Sequence, residues 1–215
     1  MTRLASNWPT RILRAVIAVF SIGIAVYSYR YLTGTGSRSP EVLANTFANP
    51  FLMLHVAGGA TALLIGSLQF FPRLRSRRSG VHRLVGRVYV GCCLLGAAAG
   101  LPLALGSTAG PIASGGFASL AVAWFVTTSL GWRHATQRRF AEHRRWMLRS
   151  WAVTTAAVSL RLMLPVPPAL GFDFFDGYRL ISWLCWIFNL AVVEVYLRWS
   201  ARAPARPAVE LAATA

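Results

Sequence analysis

Six long apolar segments, separated by short polar connections, constrain the fold of this chain more than any other feature. We place them near residues 12–32, 51–71, 84–106, 112–132, 146–165 and 179–197. Each has roughly the 20 residues that an α-helix needs to cross a hydrocarbon core of about 30 Å. The pattern therefore predicts an all-α polytopic membrane protein, a bundle of six transmembrane helices.

Composition excludes the main soluble classes. Hydrophobic residues make up 55% of the chain and charged residues 13%, whereas a soluble domain carries about 25% charged residues. A soluble enzyme, a disordered regulator and a disulfide-stapled secreted domain are thereby excluded. The three cysteines lie inside apolar segments and lack CxxC spacing, so neither a disulfide framework nor a thiolate zinc site is predicted.

The distribution of arginine predicts the orientation in the membrane. All 22 basic residues are arginine, against 6 acidic residues. Arginines concentrate in the connections 72–83 and 133–145 and after residue 197, whereas 33–50, 107–111 and 166–178 hold few. The positive-inside rule then puts both termini in the cytoplasm. We expect a bacterial cytoplasmic (inner) membrane protein whose partner is the lipid bilayer, with no nucleic acid bound.

Little of the chain is expected to fold outside the membrane. Residues 1–11 are predicted to be a cytoplasmic segment, residues 12–199 the six-span membrane domain, and residues 200–215 a disordered cytoplasmic tail rich in Ala, Pro and Arg. No small-residue cleavage site follows the first span, so we expect it to be retained. Any chemistry must then occur within the bundle or on its faces.

Three sequence blocks carry a family resemblance. They read HVAGGATALLIGSLQFFPRLRSRRSGVHRLVGRVYV, HRRWMLRSWAVTTAAVSLRLMLP and ISWLCWIFNLAVVE. Over about residues 50–195 the chain resembles the bacterial predicted-membrane-protein family named domain of unknown function 2306. The resemblance implies a multi-span membrane protein and assigns no activity, substrate or catalytic residue.

Ionisable residues inside the predicted spans are the candidate functional residues, because a charge in the membrane is costly unless it is paired or hydrated. His55 and Arg161 are predicted to lie at one level near the outer face. Arg161 is a candidate for binding the anionic group of a ligand. The alternative is that it reaches Asp173 or Asp176 in the following connection.

Near the cytoplasmic side, Arg149 and Glu194 are predicted at matching depth in the fifth and sixth spans. We favour an ion pair that clamps the helices over a proton relay. Other polar residues within the spans are Gln69, Thr154 and Asn189, of which Asn189 is expected to bond between helices.

Two stripes follow from helical stepping in the second and fifth spans. In the second span the stripe is His55, Gly59, Ala62, Gly66 and Gln69. Its small residues, together with Gly58, predict a seam of close helix packing. His143, Met147, Ser150, Thr154 and Arg161 are predicted on one face of the fifth span.

The histidines raise a redox alternative. His82 and His143 are both at cytoplasmic ends of spans and could face one another as axial ligands of haem b. His55 lacks a second histidine at its level, so a chain of two haems is not predicted. No HxxxH or HExxH spacing indicates a dedicated metal site.

The sequence therefore predicts an integral membrane protein of unassigned activity. One alternative is a haem b or quinone-linked redox protein. The others are a small-anion or lipid binder or transporter and a membrane assembly factor, for which a membrane-protein partner or a homo-oligomer stays open.

Overall fold

The computed structural model describes residues 8–35, 44–70 and 79–202, and those ranges contain helices and turns without a strand. The helices are α1 (Trp8–Thr33), α2 (Ala48–Gly66), α3 (Ser79–Leu105), α4 (Pro111–Thr136), α5 (Phe140–Thr154), α6 (Ala156–Met163), α7 (Val166–Ala169) and α8 (Phe174–Arg202). A 3-10 turn, Ser67–Phe70, follows α2.

Six helical spans are long and apolar enough to cross a membrane, and α5, α6 and α7 together make the fifth. The predicted all-α, six-span fold is confirmed. The helices reach beyond the apolar segments at several ends, because arginine is a good helix former and a helix can continue past the hydrocarbon core. Helix α1 begins at Trp8, and α8 includes residues 200–202, at the start of the predicted tail. Residues 1–7 and 203–215 lie outside the described ranges.

The two ends of the bundle differ in charge. The arginine-rich end comprises the start of α3, the connection between α4 and α5, and the end of α8. The arginine-poor end comprises the end of α1, the start of α2, and the connections from α3 to α4 and from α6 to α8. Four arginines of the 72–83 connection lie outside the described ranges. The orientation of these ends relative to the cytoplasm stays a prediction.

The fifth span is interrupted at Thr155, where the sequence predicts an unbroken segment over 146–165. Thr155 has ψ −2°, a tighter turn than an α-helix. The Ala152 carbonyl accepts hydrogen bonds from Thr155 Oγ1 at 2.9 Å and from Asn189 Nδ2 at 3.2 Å. Side-chain donors that bond to helix carbonyls bend helices, so a break forms here without glycine or proline.

Small residues allow the spans to approach closely. Helix α2 packs between α1 and α3, α4 packs on α3 and α5, and α8 packs on α4, α5 and α6. A Cβ on Gly58 would lie 2.5 Å from the Cys92 carbonyl oxygen and 2.8 Å from the Gly96 nitrogen, so α2 and α3 touch backbone to backbone. Gly66 leaves room for the Trp151 and Tyr89 rings. These contacts account for Gly58 and Gly66 of the predicted seam, whereas a Cβ on Gly59 would meet the Trp124 ring at an ordinary 3.8 Å.

Bulky apolar side chains point away from the bundle. Val19, Leu84, Phe188 and Val195 are 60–68% exposed, whereas fully buried positions hold mainly Ala, Ser, Thr and Cys. Such an outer surface would be unfavourable in water but matches a surrounding of acyl chains. The protein therefore contacts the lipid bilayer along its sides.

Candidate functional site

A buried cluster of hydroxyl groups joins three spans in the bundle interior. This hydroxyl cluster consists of Tyr89 on α3, Thr128 on α4, and Ser150 and Thr154 on α5. Tyr89 Oη lies 2.9 Å from Thr154 Oγ1 and 3.1 Å from Ser150 Oγ, and Thr128 Oγ1 lies 2.8 Å from Ser150 Oγ. Thr128 and Ser150 are fully buried. Each hydroxyl thus has a partner, as burial among apolar helices requires.

Trp124 connects the hydroxyl cluster to His55. Its Nε1–H donates to Thr154 Oγ1 at 2.9 Å, and its ring meets the His55 imidazole edge-on with centroids 6.3 Å apart. The indole nitrogen is a donor only. A proton therefore cannot pass from the hydroxyl cluster to His55 through Trp124. The contact between the Trp124 ring and the His55 imidazole is a packing contact.

His55 lies in α2 with a fixed ring orientation. Its Nδ1 is 2.8 Å from the Gly96 carbonyl oxygen, and a Cβ on Gly100 would lie 2.9 Å from the same nitrogen. Since a carbonyl only accepts, Nδ1 carries the proton and the neutral ring keeps its lone pair on Nε2. The orientation is thus set by α3.

Arg161, on α6, faces α1 near the arginine-poor end. Nη1 donates to the Ala157 carbonyl of its own helix at 3.0 Å, and Nη2 donates to Ser28 Oγ at 3.1 Å. Ser28 Oγ in turn donates to the Ile24 carbonyl at 2.7 Å. Both partners of the guanidinium are therefore neutral.

A second guanidinium, that of Arg30, lies close enough to Arg161 for their charges to interact, and so does His55. Arg30 stacks on Tyr27, with 3.5 Å from its Cζ to the ring centroid, and its Nε has no hydrogen-bond partner within the described ranges. We call Ser28, Arg30 and Arg161, with the adjoining Tyr27 ring, the Arg161 site.

The expected acidic partners of Arg161 are engaged elsewhere. Asp173 accepts backbone N–H bonds from Phe175 and Asp176 at 2.8 and 3.1 Å, at the first turn of α8. Asp176 pairs with Arg179 at 2.6 Å. The alternative that either carboxylate reaches Arg161 is thus contradicted, because both are held by their own helix.

The break at Thr155 also separates residues predicted to share one face. Ser150 and Thr154 face α3 and α4 through the hydroxyl cluster, and Met147 packs against Gly131 of α4. Arg161 instead faces α1. The uniform helical step of the prediction does not continue across the break.

Arg149 and Glu194 lie together at the arginine-rich half of α5 and α8. Arg149 Nε is 2.5 Å from Glu194 Oε1 and Nη2 is 3.1 Å from Oε2, a bidentate pair. The guanidinium also stacks over Trp146, with Cζ 4.6 Å from the ring centroid. The bidentate ion pair joins α5 to α8, and the stacking on Trp146, which lies on α5 itself, orients the guanidinium.

Asn189, on α8, forms hydrogen bonds to residues on both sides of the break in the fifth span. Besides its bond to Ala152, its Nδ2 lies 3.3 Å from Thr155 Oγ1, and its Oδ1 accepts from Ser159 Oγ at 2.9 Å. Gln69 lies beyond the end of α2 in the 3-10 turn, with its Nε2 buried and without a hydrogen-bond partner in the described ranges.

The remaining candidate histidines lie at the arginine-rich end. His143 Nδ1 is 2.8 Å from the Gly131 carbonyl, which fixes its ring as Gly96 fixes that of His55. His82 lies in the first turn of α3. The described ranges contain no group of three or more His, Cys, Asp or Glu side chains that could hold a metal ion.

Sequence reasoning missed Tyr89, Trp124 and Thr128, and it missed Ser28 and Arg30 as neighbours of Arg161. A signal existed for the aromatic residues. Tyr89 and Trp124 lie well inside their spans, away from the interfacial belt, and a buried Tyr or Trp needs a partner for its polar atom. Nothing in the sequence pairs α1 with α6.

Comparison with protein families matched residues 52–197, about two thirds of the chain, to the family described as predicted membrane protein (DUF2306). The chain belongs to the DUF2306 family. The predicted resemblance is confirmed. Comparisons with curated proteins and with solved structures gave no match. The description of the DUF2306 family names a membrane protein and no activity. The matched region includes Arg149, Arg161 and Glu194, whereas Ser28 and Arg30 precede it.

Proposed function

We propose that this DUF2306 protein binds the acidic group of a membrane-soluble ligand at the Arg161 site. One observation carries the proposal: two neighbouring guanidiniums, of Arg30 and Arg161, have no carboxylate within ion-pair distance in the described part of the chain. An arginine inside a membrane is costly unless paired, and such residues commonly mark ligand sites. An anionic ligand would supply the missing charge.

The chemistry around the site favours an amphiphile. Arg161 offers a planar fork of donors suited to a carboxylate or a phosphate. Val26 and Tyr27 on α1 and Leu162 on α6 are 50–61% exposed beside it. They provide an apolar surface for a hydrocarbon tail whose head group lies at the arginines.

Thermal unfolding in a non-ionic detergent tests the proposal with matched probes. The acidic probes are oleate and dioleoylphosphatidic acid, and their neutral counterparts are oleyl alcohol and dioleoylglycerol. We expect at least one acidic probe to raise the unfolding temperature while its counterpart does not. Which acid acts then identifies carboxylate or phosphate as the ligand group.

Two variants make the result specific. Arg161→Gln should abolish the stabilisation, and Arg87→Gln, which removes an exposed arginine of α3, should retain it. Equal stabilisation by the neutral probes, or its persistence in Arg161→Gln, would overturn the proposal.

Two acidic residues, Glu41 and Glu210, lie outside the described ranges, and Glu41, which lies between α1 and α2 in the sequence, is the one to test. If the proposal is correct, Glu41→Gln leaves the stability of the ligand-free protein and the response to acidic probes unchanged. Strong destabilisation by Glu41→Gln, with no response of the wild type to acidic probes, would make Glu41 the counter-charge and remove the need for a ligand.

For location, we propose the bacterial cytoplasmic membrane with the arginine-rich end in the cytoplasm, supported by the arginine asymmetry. Single cysteines introduced into a cysteine-free variant test it. On intact cells an impermeant maleimide should label Ser107→Cys, at the arginine-poor end, and not Gln137→Cys. The reverse pattern would invert the topology.

A second candidate function is haem b binding, favoured by the Nδ1–H bond of His143 to the Gly131 carbonyl. Metal-ligating histidines characteristically donate Nδ1–H to a carbonyl and keep Nε2 for the metal. His55 and His143 lie towards opposite ends of the bundle, so His143 would act with His82 and not with His55. Bound haem would supply one-electron chemistry.

Absorption spectra of the purified protein before and after dithionite reduction test this candidate. A Soret band with reduced α and β bands, lost in His82→Ala and His143→Ala and kept in His55→Ala, would support the pairing. A featureless spectrum from protein expressed with an adequate haem supply would exclude it.

A further inference from the structure

A charged groove separates the start of α5 from the end of α8 at the arginine-rich end. It consists of two adjoining cavities of about 260 and 200 Å³ that share Arg145, Leu197 and Ala201 in their walls. A water molecule takes up about 30 Å³ in the liquid. Each cavity therefore has room for a group of several heavy atoms. We call this feature the α5–α8 groove.

The groove carries more positive than negative charge. Arg149 is neutralised by Glu194, and Arg145 contacts Glu142 at 3.4 Å. Arg144 lines one cavity and Arg198 the other, and neither has an ion pair within the described ranges. Two positive charges are thus available to an occupant.

Apolar surface next to the groove indicates what that occupant is. Val192, Val195, Tyr196 and Trp199 on α8 are 43–75% exposed, and Tyr196 also lines the groove. Trp146 lines the other cavity. Trp and Tyr are typical of the membrane interface, where lipid head groups lie. The same strip faces the acyl chains of the bilayer, so a lipid with its head group in the groove keeps its own chains in that surrounding.

We infer that the α5–α8 groove binds the phosphate group of an anionic phospholipid, with the acyl chains along the exposed strip of α8. Basic pockets between membrane helices are suited to such head groups. The inference uses residues distinct from the Arg161 site and does not depend on the function proposed there.

Native mass spectrometry of the full-length, delipidated protein in non-ionic detergent tests it. The protein is titrated with dioleoylphosphatidylglycerol or with dioleoylphosphatidylcholine, which has the same chains and no net charge. We expect the first phosphatidylglycerol to bind about thirtyfold more tightly, or about fivefold for each of the two unpaired arginines. Equal binding of the two lipids would overturn the inference.

Two double variants with the same change in charge locate the site. Arg144→Gln/Arg198→Gln should reduce the preference for phosphatidylglycerol to about twofold or less. Arg87→Gln/Arg133→Gln, which removes two exposed arginines of α3 and α4, should keep the wild-type preference. Equal loss in both variants would show that net charge alone attracts the lipid, against a site in the groove.

Competition with inorganic phosphate distinguishes a lipid phosphate group from free phosphate as the occupant of the groove. Ammonium phosphate added at constant ionic strength should leave phosphatidylglycerol bound, because the lipid also gains contacts along α8. Full displacement by phosphate, at the concentration where ammonium chloride has no effect, would make the groove a site for a soluble anion and overturn the lipid assignment.

Discussion

Arg149 and Arg161 lie on the same membrane span, towards its opposite ends, yet their surroundings differ completely. Arg149 forms a bidentate pair with Glu194 and stacks on Trp146. Arg161 reaches a backbone carbonyl and the Ser28 hydroxyl, and its charged neighbour is another arginine. The same residue type thus joins two helices through an ion pair at one end and has neutral hydrogen-bond partners at the other.

The helical segments that carry the two arginines are also anchored differently. Helix α5 is tied to α3 and α4 by the hydroxyl cluster, whose members are buried. Helix α6, beyond the break at Thr155, is linked to α8 through Ser159 and Asn189 and to α1 through Arg161 itself. Arg161, which has no carboxylate partner within the described ranges, therefore lies on the segment with fewer buried polar anchors.

The largest expected effect tests the paired arginine. Glu194→Gln should lower the free energy of unfolding by about 2 kcal/mol, because it leaves the largely buried Arg149 without its charge partner. The double variant Arg149→Gln/Glu194→Gln should cost less than the sum of the two single changes. Unfolding with increasing mole fraction of SDS measures all three. Glu142→Gln, which breaks an exposed pair, is the control and should cost less than about 0.5 kcal/mol; equal losses in the two glutamate variants would contradict a structural clamp.

The next effect tests the anchoring of α5. Thr154→Val should cost about 1.5 kcal/mol, near the upper end for hydrogen bonds between membrane helices, because it removes the partner of Trp124 Nε1 and one of the two partners of Tyr89 Oη. Thr127→Val is matched in shape and removes only bonds to carbonyls of its own helix. The same SDS titration compares the two. If Thr127→Val costs as much, the hydroxyl cluster does not anchor α5.

A smaller effect, of opposite sign, tests the unpaired arginine. Without ligand, Arg161→Gln should raise the free energy of unfolding by about 1 kcal/mol, part of the roughly 3 kcal/mol that an arginine costs at the bilayer centre. Arg149→Gln should lower it. Thermal unfolding of delipidated protein gives both signs, and destabilisation by Arg161→Gln would mean that the residue is a structural element like Arg149.

The smallest effect tests the break between the two arginines. Asn189→Ala should cost about 0.6 kcal/mol, the average for a hydrogen bond between membrane helices. Ser159→Ala should cost less, because it removes one bond of Asn189 and leaves those to Ala152 and Thr155 in place. SDS unfolding resolves the order, and a larger cost for Ser159→Ala would show that Asn189 does not hold the break.

Part of the candidate site could be predicted from the sequence. Counting residues along the helices places Arg149 and Glu194 at matching depth in neighbouring spans. Glu194 is the one acidic residue inside a predicted span, so its pairing with an arginine at that depth could be predicted. The partner of Arg161 could not be found that way. Counting suggested Asp173 and Asp176, but the first turn of α8 uses both, and Ser28 lies far away in sequence.

The break at Thr155 could not be predicted from the sequence either. Threonine is common in unbroken membrane helices, and no glycine or proline marks the position. At the break, the Ala152 carbonyl accepts a hydrogen bond from the amide of Asn189, which lies 34 residues after Thr155 in the chain. Only a structure with both helices in place shows that bond.

The sequence by itself determined the number of spans, the helical class and the charge asymmetry of the two ends. These depend on hydrophobicity summed over about 20 consecutive residues, which is a local property. The tertiary structure decided which arginine is paired, where the fifth span breaks and which polar groups meet inside. Those outcomes depend on the rotation and packing of helices distant in sequence, and a single buried hydrogen bond or ion pair decides each of them.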